Sequence, residues 1–352
     1  MTTNKDFATA LLNWYETHGR KDLPWQHPRS AYRVWISEIM LQQTQVQTVI
    51  PYFNRFMLGF PDIQHLANAP EDDVLSHWSG LGYYSRARNI HKTAKIICEQ
   101  FAGIIPADKE DLESLPGIGP STAAAILSQA FNLPAAIMDG NVKRVLSRHF
   151  MIEGLTEQSR VKKQLWDLAF QCMPGQHCAD YTQAIMDLGA TCCTSRKPSC
   201  SACPLHASCQ AFNQDVVMSF PTKKVKKILP VKRQQFLLLY NEQHQIFLEK
   251  RPPSGLWGGL WCLPDTEEDA DLTSELATRF ALNIIDVKKI ADLKHAFSHF
   301  HLFIRATAIK TVFARDVMLN ENNGQWFFAH QLSKLGLARP VTKIIHCFLG
   351  SG

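Results

Sequence analysis

The chain has 352 residues, 45% of them hydrophobic and 20% charged, with a formal net charge of +5. That is long for a single hydrophobic core and too apolar for wholesale disorder, so two folded domains are expected. The absence of a bilayer-length apolar run or a secretory leader predicts a cytoplasmic protein with reduced thiols, not a disulfide-framed one.

In chain order, residues 1–25 read as an amphipathic helix. Helical spacing of apolar residues follows in 31–57, 71–82, 85–101, 121–131 and 140–150. Breakers separate these segments, namely Pro61, Pro70, Gly80, Gly82, Pro106, Pro116 and Gly140. Between Phe220 and Phe236 lie Lys223, Lys224, Lys226, Lys227, Lys232 and Arg233 with no acid. Such a run is a solvated linker, and it is equally suited to touch phosphate. Beyond it, 233–252 reads as two strands around a polar turn, 271–282 as a helix and 297–313 as a further strand region. The expected organisation is an all-α domain over 1–215, a basic linker over 216–232 and an α+β domain over 233–352.

Four constellations carry chemistry. In "LPGIGPSTAAAIL" (115–127), Gly117 and Gly119 permit a tight turn, and Pro120 suits the first helical position. Ser121 or Thr122 can satisfy free amides there. A helix opening after a Gly-rich turn binds phosphate. In "IMDGNVKRVL" (137–146), Asp139 stands where a helix begins, which is expected to keep its carboxylate ionised. In "ISEIMLQQTQV" (36–46), Glu38 lies among apolar residues that are expected to raise its pKa toward neutrality. Finally, four of the ten cysteines, Cys193, Cys200, Cys203 and Cys209, fall within seventeen residues. Their spacing suits zinc or a [4Fe–4S] cluster and leans toward the cluster, because only one C-x-x-C pair is present. Cys192 stands beside Cys193 as a competing ligand.

Together these motifs resemble the endonuclease III superfamily of helix–hairpin–helix DNA glycosylases. Within it, "SEIMLQQTQV", "GLGYYSRARNIH", "LPGIGPSTAAAIL" and "MDGNVKRVL" are similar to the MutY-type adenine DNA glycosylases. "RPPSGLWGGLWCLP" and "HAFSHFHL" resemble the family's C-terminal Nudix-like domain, which recognises 8-oxoguanine. The resemblance covers essentially the whole chain. It implies a helical glycosylase domain with a [4Fe–4S] loop, followed by an α+β Nudix-like domain. The implied activity is hydrolysis of adenine from duplex DNA containing A:8-oxoguanine or A:G mispairs. The enzyme is expected to act as a monomer at the nucleoid, with no membrane partner.

The same resemblance assigns Glu38 as the acid that protonates adenine, Asp139 as the carboxylate facing the developing positive sugar, and Asn141 as its orienting neighbour. Lys21, Trp25, Leu41 and Gln183 match positions around the adenine. Gln43, Thr44, Leu81 and Tyr83 match residues at the stack and lesion, with Gly117, Gly119, Ser121 and Lys143 near DNA. Phe297, Ser298 and His299 match the lesion-reading loop. Cys193, not Cys192, would be the first cluster ligand, on a loop carrying Arg196 and Lys197 toward phosphate. Bifunctional relatives carry a lysine nucleophile where this chain has Ser121, so no efficient strand cleavage is expected. The Glu-rich magnesium helix of active Nudix hydrolases is not supplied after Gly259, so nucleotide hydrolysis is not expected either.

Overall fold

In the computed structural model the described residues are 4–224, 228–313 and 324–350. Part of the basic run, residues 225–227 with Lys226 and Lys227, therefore lies outside the described residues. The chain divides into two compact units. One comprises Met1–Asn68 and Asn89–Lys226, the other Ala69–Arg88 and Lys227–Gly352. No helix among the described residues is long and apolar enough to cross a membrane.

The first unit is helical. Its N-terminal helix, Asn4–His18, packs Phe7, Leu11 and Tyr15 against Val142, Val145 and Leu146 of Gly140–His149 and against Leu165 of Ser159–Cys172. The stretch 31–57, which looks continuous by periodicity, is two helices, Ala31–Leu41 and Val46–Gly59. Ser30 caps the first by accepting from Arg33 N at 3.3 Å. The chain then breaks at Gln43, whose φ of 59° is left-handed. The break turns exposed polar side chains outward where an uninterrupted helix would carry them along its side.

The hairpin forms as read. Asp108 caps Lys109–Ser114 through Asp111 N (3.0 Å), and Gly117 turns the chain at φ 83°. A Cβ at Gly117 would lie 2.9 Å from Cβ of Asn89, so the position needs glycine for space as well as for conformation. The following helix, Pro120–Phe131, starts on Gly119 with no side-chain cap. This corrects the expectation that Ser121 or Thr122 would cap it. Ser121 Oγ instead accepts from Met138 N at 3.1 Å, and Thr122 Oγ1 accepts from Gln42 at 3.4 Å.

The second unit carries strands β1 (Val231–Tyr240), β2 (Ile246–Lys250), β3 (Trp261–Cys262), β4 (Asp265–Thr266), β5 (Leu282–Ala296), β6 (His301–Phe313) and β7 (Gly324–Phe327). The sheet order is β3-β2-β1-β6-β5, with β4 on β1 and β7 on β2. β1 and β6 run parallel and the other pairs antiparallel, giving a mixed sheet. The helix Leu272–Phe280 buries Leu276 and Phe280 against Leu237, Leu239 and Ile309. β5, absent from the sequence expectation, is an edge strand. Its burial shows little alternation, and it bends at two register shifts, so the usual period-of-two signal is missing.

Candidate active site

A cleft of about 700 Å³ opens in the first unit, with Glu38 and Asp139 both in its lining. Glu38 projects from the helix Ala31–Leu41, whose Trp35, Ile36, Ile39 and Met40 are buried. Its Oε1 accepts from Gln129 Nε2 at 3.2 Å, across from the helix Pro120–Phe131. Burial, and next the negative charge of Asp139, push the Glu38 carboxyl up to about 7, against the Gln129 donor. The raised acid expected from its apolar helix is present.

Asp139 caps Gly140–His149, accepting from Val142 N at 2.7 Å through Oδ1 and from Asn141 Nδ2 at 3.0 Å through Oδ2. Sequence reasoning looked only at these amides and expected a carboxyl held low. Burial outweighs them and pushes it above the ordinary aspartate range, while Val142 N–H, Asn141 and Arg144 pull the other way. The two carboxyls are coupled, since the charge of Asp139 adds to burial in raising Glu38.

Behind Asp139 the hydrogen bonds continue. Asn141 Oδ1 accepts from Arg144 Nη2 at 2.8 Å, and Arg144 also donates to Gly189 O (2.6 Å) and Cys193 O (2.7 Å). Gly189 permits this approach, since a Cβ there would sit 2.5 Å from Asn141 Cβ. Trp25, Leu41, Thr44, Ser121, Asn141 and Gln183 line the same cleft, as does Arg20, which sequence reasoning passed over. Lys21 does not. It lines a separate cavity of about 560 Å³, where its Nζ donates to Glu16 O at 2.7 Å and lies over the Tyr15 ring. Gln43 is exposed at the helix break, and Lys143 is half-buried without lining the cleft.

The cysteine loop follows a π-helical turn at Leu188–Cys192. Cys192, Cys193, Cys200, Cys203 and Cys209 line one small cavity together with Arg148. Arg148 Nη1 donates to Cys193 Sγ at 3.3 Å and to Thr194 O at 2.8 Å. Burial and neighbouring thiols push Cys200 and Cys209 up. Cys192 Sγ donates to Ser199 O at 3.3 Å. Among the described residues, no three His, Cys, Asp or Glu side chains are gathered tightly enough to hold a metal ion; these thiols share a cavity and not a point. As a donor set, soft thiols around a common space with an arginine at one sulfur fit an iron–sulfur group. Arg196 and Lys197 are exposed on the loop.

Residues 36–170 match the model of the HhH-GPD superfamily base excision DNA repair proteins, and residues 235–347 match the NUDIX domain. The chain is 41% identical over 343 residues to the adenine DNA glycosylase of Buchnera aphidicola subsp. Schizaphis graminum, covering 97% of this chain and 98% of that one. It is 32% identical over 408 residues to the human adenine DNA glycosylase, covering 98% of this chain and 74% of that one. This chain belongs to the adenine DNA glycosylase family. A thermostable thymine-DNA glycosylase aligns with TM-score 0.55 and 30% identity over 60% of this chain and 97% of its own. Endonuclease III from a non-covalent DNA complex shares the fold at TM-score 0.52 and 22% identity, over 61% of this chain and 99% of its own.

The second unit of this glycosylase-family chain has its own cavity, of about 520 Å³. Leu81, Tyr83, Phe297, Ser298 and His299, separated by over two hundred residues in sequence, all line it. Trp257 lines it with them. Its ring lies 5.4 Å from Phe297 and 5.7 Å from His295, and its φ of 53° is left-handed. Arg88 donates to the Gly258 carbonyl and so fastens the 255–258 turn. Ser298 Oγ lies 3.4 Å from His299 Nδ1. Sequence reasoning missed Arg20, Arg88, Gln129, Arg144 and Trp257 as supports. Only Gln129, polar within an apolar helix, offered a local signal.

Proposed function

We propose that this protein excises adenine from duplex DNA, where the adenine stands opposite 8-oxoguanine or guanine, by hydrolysing its N-glycosidic bond. The observation that carries the reading is one cleft lined by two carboxyls, Glu38 raised to about 7 and Asp139 fixed by Val142 N–H and Asn141. The base must leave the stack to reach them, which costs about a few kcal/mol. Trp25 and Leu41 give the flipped purine an apolar seat, and Glu38, still protonated near pH 7, donates to a ring nitrogen of the adenine. As the bond from the sugar to N9 breaks, positive charge grows on the sugar. Ionised Asp139, fixed by Val142 N–H and Asn141, faces that charge, and water completes the hydrolysis.

The uncapped amides that open the helix after Gly117–Gly119 suit a DNA phosphate. Gln43 and Thr44 at the helix break, and Lys143 beside the capped helix, are assigned DNA contacts. Lys21, outside the cleft, ties the loop after the N-terminal helix back to Glu16 O, and through it supports the segment that carries Trp25. Ser121 is an alcohol engaged with Met138 N, so no amine is offered there for a Schiff base, and we assign release of the base without efficient strand cleavage. In the second unit, Leu81, Tyr83, Phe297, Ser298 and His299 would read the 8-oxoguanine. The segment after Gly259 does not carry the Glu-rich magnesium helix of active Nudix hydrolases, which supports binding without hydrolysis.

Cys193, Cys200, Cys203 and Cys209 would hold a [4Fe–4S] cluster. Such a group, when bound, would tie the ends of the cysteine loop together and take no part in bond breaking. The loop would then present Arg196 and Lys197 to phosphate. We place the enzyme, as a monomer, at the nucleoid.

The deciding measurement is adenine release from a duplex with A opposite 8-oxoguanine, by wild type and by Asp139→Asn. No release by wild type overturns the function. Borohydride trapping tests the absence of a lyase step, and a strong covalent adduct would refute that part alone. Iron analysis with a visible absorption spectrum tests the cluster, and zinc in its place would refute that assignment.

A further inference from the structure

Asp187 is fully buried at the floor of the N-terminal unit, and it accepts four hydrogen bonds from two residues that line the Glu38–Asp139 cleft. Its Oδ2 takes the Arg20 backbone N–H at 2.7 Å. Its Oδ1 takes Arg20 Nε at 2.9 Å, Arg20 Nη2 at 2.6 Å and Gln183 Nε2 at 2.8 Å. Gln183 lies one helical turn before Asp187 and is itself buried. An ionised carboxylate only accepts, so the Gln183 amide has no freedom to turn over. Its NH2 end must face Asp187, and the polar atom left for the cleft is its carbonyl oxygen.

We propose that Asp187 is a positioning residue that sets base specificity by locking Gln183 as a hydrogen-bond acceptor toward the cleft. The inference rests on the reading that a purine enters this cleft. A fixed acceptor suits a 6-amino purine, whose exocyclic NH2 donates, and opposes a 6-oxo purine, whose oxygen would meet it lone pair to lone pair. Adenine and hypoxanthine differ at C6 and, with it, in the proton on N1, whereas unsubstituted purine keeps the N1 acceptor and lacks only the 6-amino group. A site built around a particular hydrogen bond discriminates by leaving its own buried polar atom unpaired when the wrong base enters. Arg20, held by three of the four bonds, fixes the Asp187 carboxyl and the wall beside Gln183.

Asp187→Asn breaks the lock while preserving shape. The new amide presents NH2 on one side. It cannot accept all four donors: its NH2 faces either the Arg20 backbone N–H or the Arg20 guanidinium and Gln183, so the fixed orientation of Gln183 is weakened. The test uses single-turnover base release from duplexes carrying deoxyadenosine, deoxyinosine or purine deoxynucleoside, the last lacking any 6-substituent. For Asp187→Asn, the preference for adenine over both hypoxanthine and unsubstituted purine should fall by about tenfold or more, a change of about 1.4 kcal/mol. Equal loss on all three bases would mean a merely structural role and would overturn the proposal.

Gln183→Met keeps the experiment decisive if Asp187→Asn folds poorly. It removes the amide and should lower the same preference by itself, and an unchanged preference overturns the lock. In the Gln183→Met background, Asp187→Asn should not alter the preference further, and a further drop also overturns it. Failure of wild type to release adenine at all is a different outcome, which overturns the proposed function and is read before either variant.

Discussion

The cleft of the N-terminal unit and the cavity of the C-terminal unit are held by different means. Around the cleft, Glu38 sits on a helix and Asp139 caps one, and they are tied by hydrogen bonds of 3.2 Å to Gln129 and 2.7 Å to Val142. Around the cavity, Leu81, Tyr83 and Ser298 sit on turns, and their support is aromatic, with Trp257, His295, Phe297 and Phe300 ring against ring. Directional bonds hold charge in place for a transition state, whereas stacked rings hold a shape against which a base can be compared. Chemistry and lesion reading should therefore respond differently to substitution.

The largest effect should come from Asp139→Asn. Asparagine still caps the helix, so the thermal midpoint should shift by only a few degrees, while the single-turnover rate should fall by about a thousandfold or more. A loss of helix stability in step with activity would erase the distinction between cap and charge. Next, Trp257→Ala should leave release of adenine opposite guanine within about threefold, while lowering the preference for 8-oxoguanine over guanine by about fivefold, as loss of an aromatic support worth about 1 kcal/mol implies. Equal losses opposite both partners would show that the cavity does not read the lesion.

The pH profile should be bell-shaped. The rate falls as pH climbs through about 7, where Glu38 loses its proton, and falls again toward acid as Asp139 gains one. Glu38→Gln should abolish the alkaline limb together with most of the rate. The smallest effect is on stability, and its sign follows from the raised pKa. The folded state holds the Glu38 proton more tightly than the unfolded chain, so raising the pH from 4.5 through 7 favours unfolding by up to about 3 kcal/mol. Glu38→Gln should accordingly raise the melting temperature more at pH 8 than at pH 4.5, which calorimetry at the two values checks.

What was legible in the sequence follows the same division. The hairpin, the Asp139 cap and the Glu38 helix were readable because glycine, proline and cap residues write local rules into adjacent positions. The break at Gln43 was not readable, because glutamine carries no left-handed signal and apolar periodicity runs through it. The direction of the Asp139 shift was missed because desolvation depends on neighbours from other helices. Lys21 shows the limit of position matching, since its ammonium turns to Glu16 in another cavity. β5 escaped because an edge strand rich in lysine and aspartate has no buried face to alternate against.

The membership of Ala69–Arg88 in the C-terminal unit changes what a severed chain would contain. Asp72 pairs with Lys250 at 2.8 Å, Ser79 Oγ donates to Leu337 O at 2.9 Å, and Arg88 fastens the Gly258 turn. A protease cutting near residue 224 would release a C-terminal fragment stripped of all three ties and of the Leu75 side chain that covers Gly336. The unit is a discontinuous one, with one of its segments borrowed from the first third of the chain. The surface proposed to read the lesion is thus inherited only with the whole polypeptide, and transplanting residues 233–352 alone onto another glycosylase would carry over the sheet without Leu81 and Tyr83.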